Sequence, residues 1–359
     1  MSKIKHGADL LEISQKYNFK PEDIMDFSSN INPFGASPKA LSYIKTHPGI
    51  ISVYPDPLHR LLLKAIGKYI DLPFENILAG DGATGFISAF ISFAAPKRPM
   101  IIFPCYSEYL REVNKNNSDK IFKTFLNETD DFKFDVEKLI SECNSNSIDL
   151  LILCNPNNPT GSILSRDEIE KILKNTDTYV MIDETYMEFS DTEKFSAFSL
   201  ASKYDKLFVL RGTSKFFASP GLRLGYAATS DKTVRNSILS HSNLWNLNIF
   251  AENAGKIMFE DTDYIQKTKL QIKKERKYLL SELSKISALK VYPTFSNFIL
   301  VKIKEKNLTA GELYDRLIIH KMAIRDCSSF EGLDPYFFRV CVLDEKADKL
   351  LISKLNEIF

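Results

Sequence analysis

Histidine and tryptophan are scarce in this 359-residue chain, at five and one residues, and the charged groups nearly cancel to a formal +1. Such a balance gives no reason to expect a nucleic-acid backbone or an anionic membrane as partner. The cysteines (Cys105, Cys143, Cys154, Cys327, Cys341) are odd in number and never spaced as CxxC. That argues against a zinc site and a disulfide framework alike, so no metal is expected and a reducing cytoplasm fits best. No stretch reaches the ~18 apolar residues of a membrane span. The segment "MSKIKHGADLLEI" also lacks a long apolar core, so a soluble, unexported protein is expected. Hydrophobic residues at 44% against 26% charged are globular values, in a chain long enough for one large and one smaller domain.

Short apolar runs alternate with helical patterns through the middle: "MIIF" (100–103), "DLLILC" (149–154), "YVMI" (179–182), "LFVL" (207–210) and "GYAA" (225–228). Strands apolar on both faces belong to a sheet covered by helices, which predicts an α/β layered domain with a mostly parallel central sheet. Ser165 with Glu168 three residues on reads as the capping box of a connecting helix. From about residue 253 a long charged helical stretch leads into further strands and helices, the pattern of a smaller α+β domain. The expected division is an N-terminal arm with part of the small domain (1–50), a large domain (51–252), and an interdomain helix with the small domain (253–359).

Gly80, Gly82 and Gly85 in "LAGDGATGFISAF" have the spacing of a dinucleotide fingerprint. Small residues there let a strand turn tightly into a helix whose exposed N–H groups bind a phosphate. The spacing leaves the phosphate's identity open, and a nicotinamide enzyme or a plain glycine-rich turn fits it too. Only "NIL" stands before the glycines as a strand, and Glu108 is the nearest acid to the ribose-binding place such a fold requires.

Ligands in open α/β sheets gather at the carboxyl ends of strands. The segments that follow these strands are "NPNNPTG" (155–161), "DETY" (183–186) and "RGTSKFFASPGLRLGY" (211–226). Together they resemble the fold-type I, pyridoxal-phosphate-dependent enzymes of the class I/II aminotransferase family, over nearly the whole chain. The resemblance implies that Gly82, Ala83 and Thr84 offer N–H groups to the phosphate of pyridoxal 5'-phosphate. Lys215 is then the amine that captures the cofactor aldehyde as a Schiff base and later acts as the base. Asp183 faces the pyridine nitrogen and keeps it protonated. At ~3 Å and an effective dielectric near 20 the gross attraction is about 5 kcal/mol before desolvation. Asn158 and Tyr186 reach the phenolic oxygen of the ring, Tyr106 stacks on it, and Ser214 and Arg223 complete the phosphate cradle. Tyr54 in "VYPDP" crosses from the neighbouring subunit, which implies a homodimer with shared sites. One departure is Gly212, where the family often has Ser or Thr; Thr213 is the substitute the sequence offers.

Two groups share this motif set, the L-threonine-O-3-phosphate decarboxylases and the histidinol-phosphate aminotransferases. "KHGAD" (5–9), "DFSSNINPFG" (26–35) and "IRDCSSFEGL" (324–333) resemble the decarboxylases more closely, although Ala8 stands where they have a second glycine. His6, Asn32, Arg325 and Arg339 are then the substrate-binding set, rich in partners for a phosphate and a carboxylate. The implied reaction is decarboxylation giving aminopropanol phosphate for cobalamin synthesis; the alternative is transamination of the histidinol-phosphate type.

Overall fold

The computed structural model describes residues 9–359. Its strands are β1 (Met25–Asp26), β2 (Ile77–Asp81), β3 (Pro99–Phe103), β4 (Phe122–Phe125), β5 (Leu150–Cys154), β6 (Tyr179–Asp183), β7 (Leu207–Gly212), β8 (Leu224–Ala228), β9 (Leu289–Val291), β10 (Phe298–Ile303), β11 (Met322–Ala323), β12 (Arg325–Asp326) and β13 (Phe337–Cys341). Seven form the central sheet in the order β2-β8-β7-β6-β5-β3-β4. Neighbours from β7 to β4 pair in parallel, and β8 pairs antiparallel with both β2 and β7. Every residue of β3, β5, β7 and β8 is buried. The continuous apolar runs thus mark strands covered on both faces, as helical layers require.

Two strands were harder to read. The "NIL" before the glycines extends to a five-residue strand, β2, that includes Gly80 and Asp81. β4 (FKTF) lies at the sheet edge with a single buried residue, Thr124, so it carries no continuous apolar run. The capping box forms as predicted, with Ser165 and Glu168 exchanging bonds at the start of the helix Arg166–Asn175.

After the long helix Thr262–Lys285, a second sheet follows in the antiparallel order β12-β13-β10-β9. Arg276 on that helix ties the two halves together by donating from Nη1 to the carbonyls of Phe189 and Ser296. The segment after β1 threads between the sheets. Phe27 O accepts from the Cys341 amide, Asn30 O from Asn297 Nδ2, and Lys215 O from the Asn32 amide. Thus residues 27–32 line the seam onto which the central strands open. Among the described residues no helix is long and apolar enough to cross a membrane.

Candidate active site

The glycine turn joins strand to helix without an intervening loop. β2 ends at Asp81, and the helix Gly82–Ala94 begins at once with Gly82 at φ +67° and no side chain capping it. Its first N–H groups therefore lack the side-chain acceptor found at helix starts such as Arg166–Asn175 and Ile249–Glu260. A Cβ at position 82 would stand 2.7 Å from Arg223 Nη2, so only glycine lets that guanidinium lie over the helix start. Arg223 also faces Asp81 Oδ1 at 3.4 Å. The Thr84 side chain hydrogen-bonds Tyr106, whose phenol is pushed up to about 12, chiefly by burial. Ser214 is half-buried in the segment that follows β7. The helix start, Thr84, Tyr106 and Arg223 thus converge at one corner.

Gly212 has a packing reason. A Cβ there would lie 3.2 Å from Ala83 Cβ and 3.4 Å from its backbone nitrogen, under the helix start. Thr213 does not take over the missing hydroxyl. It is fully buried, its hydroxyl donates to Leu224 O at 3.1 Å, and it accepts from Ser219 at 2.9 Å.

Asp183, at the carboxyl end of β6, is buried and accepts from Tyr109 OH at 2.8 Å on Oδ2 and from the Thr185 amide at 2.9 Å on Oδ1. Burial raises its pKa above the usual carboxylate range, and the Thr185 side chain, Tyr109 and the Thr185 amide oppose the shift. No cationic side chain offsets that burial among the described residues. A buried carboxylate with donors but no counter-charge suits a cationic ligand group.

Lys215 Nζ donates to Ser29 O at 2.6 Å. Burial, with a smaller contribution from the Arg339 guanidinium, pushes its pKa down to about 8. A substantial neutral fraction near physiological pH suits a nucleophile and base. Tyr186 is buried and accepts from Asn30 Nδ2 at 3.3 Å, with burial holding its phenol above the usual range. Arg339 is 5% exposed; Nη1 donates to Asn158 Oδ1, Nη2 donates to Ser28 O at 2.7 Å, and the buried Nε has no partner. With Oδ1 of Asn158 occupied, any bond from that side chain to a ligand comes from its Nδ2. Arg325 lies directly opposite Arg339 across the β12–β13 pair. It donates to Ser329 at 2.9 Å and packs over Phe330, and burial lowers its pKa.

Asn32 is engaged within the fold, and Tyr54 lies at the surface. Asn32 is a structural residue: its Nδ2 serves Phe216 O and Tyr264 OH, and its Oδ1 accepts from the Phe34 amide. Its neighbour Asn30, fully buried at φ +56° with an unpartnered Oδ1, is the asparagine of that segment that reaches Tyr186. Tyr54 is 74% exposed and stacks on Trp245 at 4.4 Å rather than joining its own chain's site. His6 lies outside the described residues. Sequence reasoning also passed over Tyr109, although its i+3 spacing from Tyr106 at the start of the helix Ser107–Asn114 puts the two on one face.

The sequence pattern of the family described as aminotransferase class I and II matches residues 22–355. A protein of Caldanaerobacter subterraneus provisionally named threonine-phosphate decarboxylase is 37% identical over 92% of this chain and 89% of its own length. The histidinol-phosphate aminotransferase of Methanococcus aeolicus is 33% identical over 98% of this chain and 94% of its own. The solved histidinol-phosphate aminotransferase from Clostridium acetobutylicum superposes with a TM-score of 0.87 at 34% identity, covering 93% of this chain and 99% of that one.

Proposed function

Since this chain belongs to the aminotransferase class I and II family, whose cofactor is pyridoxal 5'-phosphate, we propose that it decarboxylates L-threonine-O-3-phosphate. The product is aminopropanol phosphate, and the proposed role is supply of that arm to cobalamin synthesis. The observation that carries this reading is the facing pair Arg325 and Arg339. Two guanidiniums opposite each other, with no carboxylate paired to Arg339 among the described residues, leave uncompensated positive charge for a substrate with both a phosphate and a carboxylate. The 37% identical relative's name supports the same reading.

The residues fit the cofactor. Gly82, Ala83 and Thr84 with Ser214 and Arg223 would hold its phosphate, Tyr106 would stack on its ring, and Asp183 would face its nitrogen. Asn158 and Tyr186 would meet its phenolic oxygen. When bound, the cofactor supplies an electron sink for a carbanion at the substrate's Cα. Lys215 moves protons at Nζ, and its pKa near 8 lets it both give and take them at neutral pH. Arg325 and Arg339 orient the two anionic ends and so decide which bond at Cα is broken. Asn30, buried beside Tyr186, completes the polar wall with its free Oδ1.

A second reading rests on the histidinol-phosphate aminotransferase relatives. Incubation with L-threonine phosphate alone, against histidinol phosphate plus 2-oxoglutarate, separates the two. CO2 release without a keto acid supports decarboxylation, whereas keto-acid-dependent amino transfer with no CO2 supports the second reading. Borohydride reduction is expected to fix a pyridoxyl group on Lys215, checked by peptide mapping; label on another residue would remove the site assignment.

The proposal includes a homodimer with shared sites. Ile51, Val53, Tyr54, Leu58 and Leu61 are all more than half exposed. Trp245 joins this apolar strip through its stacking on Tyr54. Covering such a strip with a second copy is what its exposure favours.

A further inference from the structure

Beneath the candidate site, Tyr109 and Asp183 are buried together, at 1% and 4% exposure. Tyr109 sits on the helix Ser107–Asn114, and its ring meets Tyr106 edge-on at 5.7 Å and 84°. Its hydroxyl donates to Asp183 Oδ2 at 2.8 Å. We propose that Tyr109 is a positioning residue for Asp183, which fixes that carboxylate and sets how fully the cofactor's ring nitrogen keeps its proton. The inference rests on the reading of Asp183 as the partner of that nitrogen.

The chemistry follows from what a neutral donor does to a carboxylate. A hydrogen bond to the ionised form lowers its affinity for a proton without cancelling its charge. Asp183 thereby remains an anion able to attract the protonated ring, yet is too weak a base to remove the proton. A lysine or arginine in the same place would satisfy Asp183 outright and compete with the ring. A phenol does not, and burial holds Tyr109 well above the usual phenol range, so it stays a donor. The Thr185 amide fixes the other oxygen, so the carboxylate is held at both ends. Through its ring contact the same tyrosine also braces Tyr106.

The test is Tyr109→Phe, which keeps the ring and removes only the hydroxyl, in the holoenzyme. A positive ring nitrogen depresses the proton affinity of the cofactor nitrogen carried by Lys215. Weaker ring protonation should therefore move the pH midpoint of the bound cofactor's absorbance change alkaline by about one unit. A fall in kcat of about tenfold with little change in KM should accompany it. In an Asp183→Asn background the same substitution should add no further shift. An unmoved midpoint in Tyr109→Phe with full cofactor content, or an equal shift in both backgrounds, would overturn the proposal. If instead the cofactor binds but Asp183→Asn itself leaves the midpoint unmoved, the reading of Asp183 fails, and this inference with it.

Discussion

Asp183 and Glu184 are adjacent in the chain and both buried, yet they live in opposite electrostatic worlds. Glu184 Oε2 accepts from Arg211 Nη2 at 2.7 Å and Nε at 3.0 Å, and from Ser196 at 2.9 Å. Arg211 also faces Glu188 at 3.6 Å, and Tyr226 donates to Glu188 at 3.0 Å. That cluster answers charge with charge inside the protein. On the cleft side, Asp183 and Arg339 are buried and Lys215 is half-buried, all with neutral hydrogen-bond partners only. The contrast teaches where a ligand is expected: a buried structural charge needs its counter-ion in the fold, whereas a binding site leaves that counter-ion to the ligand.

Breaking one side of the comparison should have the opposite signature from breaking the other. Arg211→Met strands Glu184 and Glu188 without their cation and is expected to cost about 3–5 kcal/mol of stability, read by urea denaturation. Arg339→Met removes an unpaired charge but orphans Ser28 O and Asn158 Oδ1, and these two terms oppose each other. Its stability should move by only about 1 kcal/mol while substrate binding is lost. Equal destabilisation by the two substitutions would mean that Arg339 is a structural residue like Arg211.

Within the cleft, Arg325 and the cofactor corner should be separable. Arg325→Ala is expected to weaken substrate binding by about 2–5 kcal/mol, because a buried anion loses its charged partner. Cofactor affinity, measured by absorbance titration, should be nearly unchanged; a matching loss of cofactor would place Arg325 at the wrong ligand. Tyr54→Phe should do the reverse, weakening cofactor retention by about 1.5–3 kcal/mol if its hydroxyl reaches the partner's cofactor. A fully active monomer in sedimentation would remove that contact.

The same contrast explains what was legible. Apolar runs such as "LLIL" announce doubly covered strands, and the polar residues at or just after their ends, Asn158, Asp183 and Lys215 among them, take their place in the fold from those strands. β4 could not be read this way, because an edge strand with one buried residue carries no such run. Asn30 and Asn32 stand two residues apart in a loop without periodicity, so the sequence does not tell which of them faces Tyr186. Only the fold shows that Asn32 spends its amide on Phe216 and Tyr264. Arg211 looked like one more strand-end residue, and nothing in "LRGTSK" says that its partner is Glu184 rather than a ligand.

A third buried carboxyl sharpens the comparison by lacking both solutions. Asp348, on the helix Glu345–Ile358, is fully buried; Oδ1 accepts from the Leu343 amide at 3.0 Å and Oδ2 has no partner. Its pKa is raised to about 8, first by burial, with Glu275 and Asp344 adding like charge. Asp183 has the Thr185 side chain, the Thr185 amide and Tyr109 against desolvation, whereas Asp348 has one donor, so Asp348 answers burial by keeping a proton rather than by waiting for a cation. The sign follows. Between the ordinary value of 3.8 and about 8, the folded protein holds a proton that the unfolded chain has released. Stability is therefore present in full below the lower value, falls as pH rises through this window, and levels off above it. Asp348→Asn retains an acceptor for the Leu343 amide and has no proton to lose. Relative to wild type it should gain stability from pH 5 to pH 8, reaching about 1–2 kcal/mol after discounting local relaxation. Urea denaturation at the two pH values reads the difference. Parallel slopes for the two proteins would show that Asp348 ionises at no cost, and lack of a counter-charge would then no longer separate the cleft from the rest of the core.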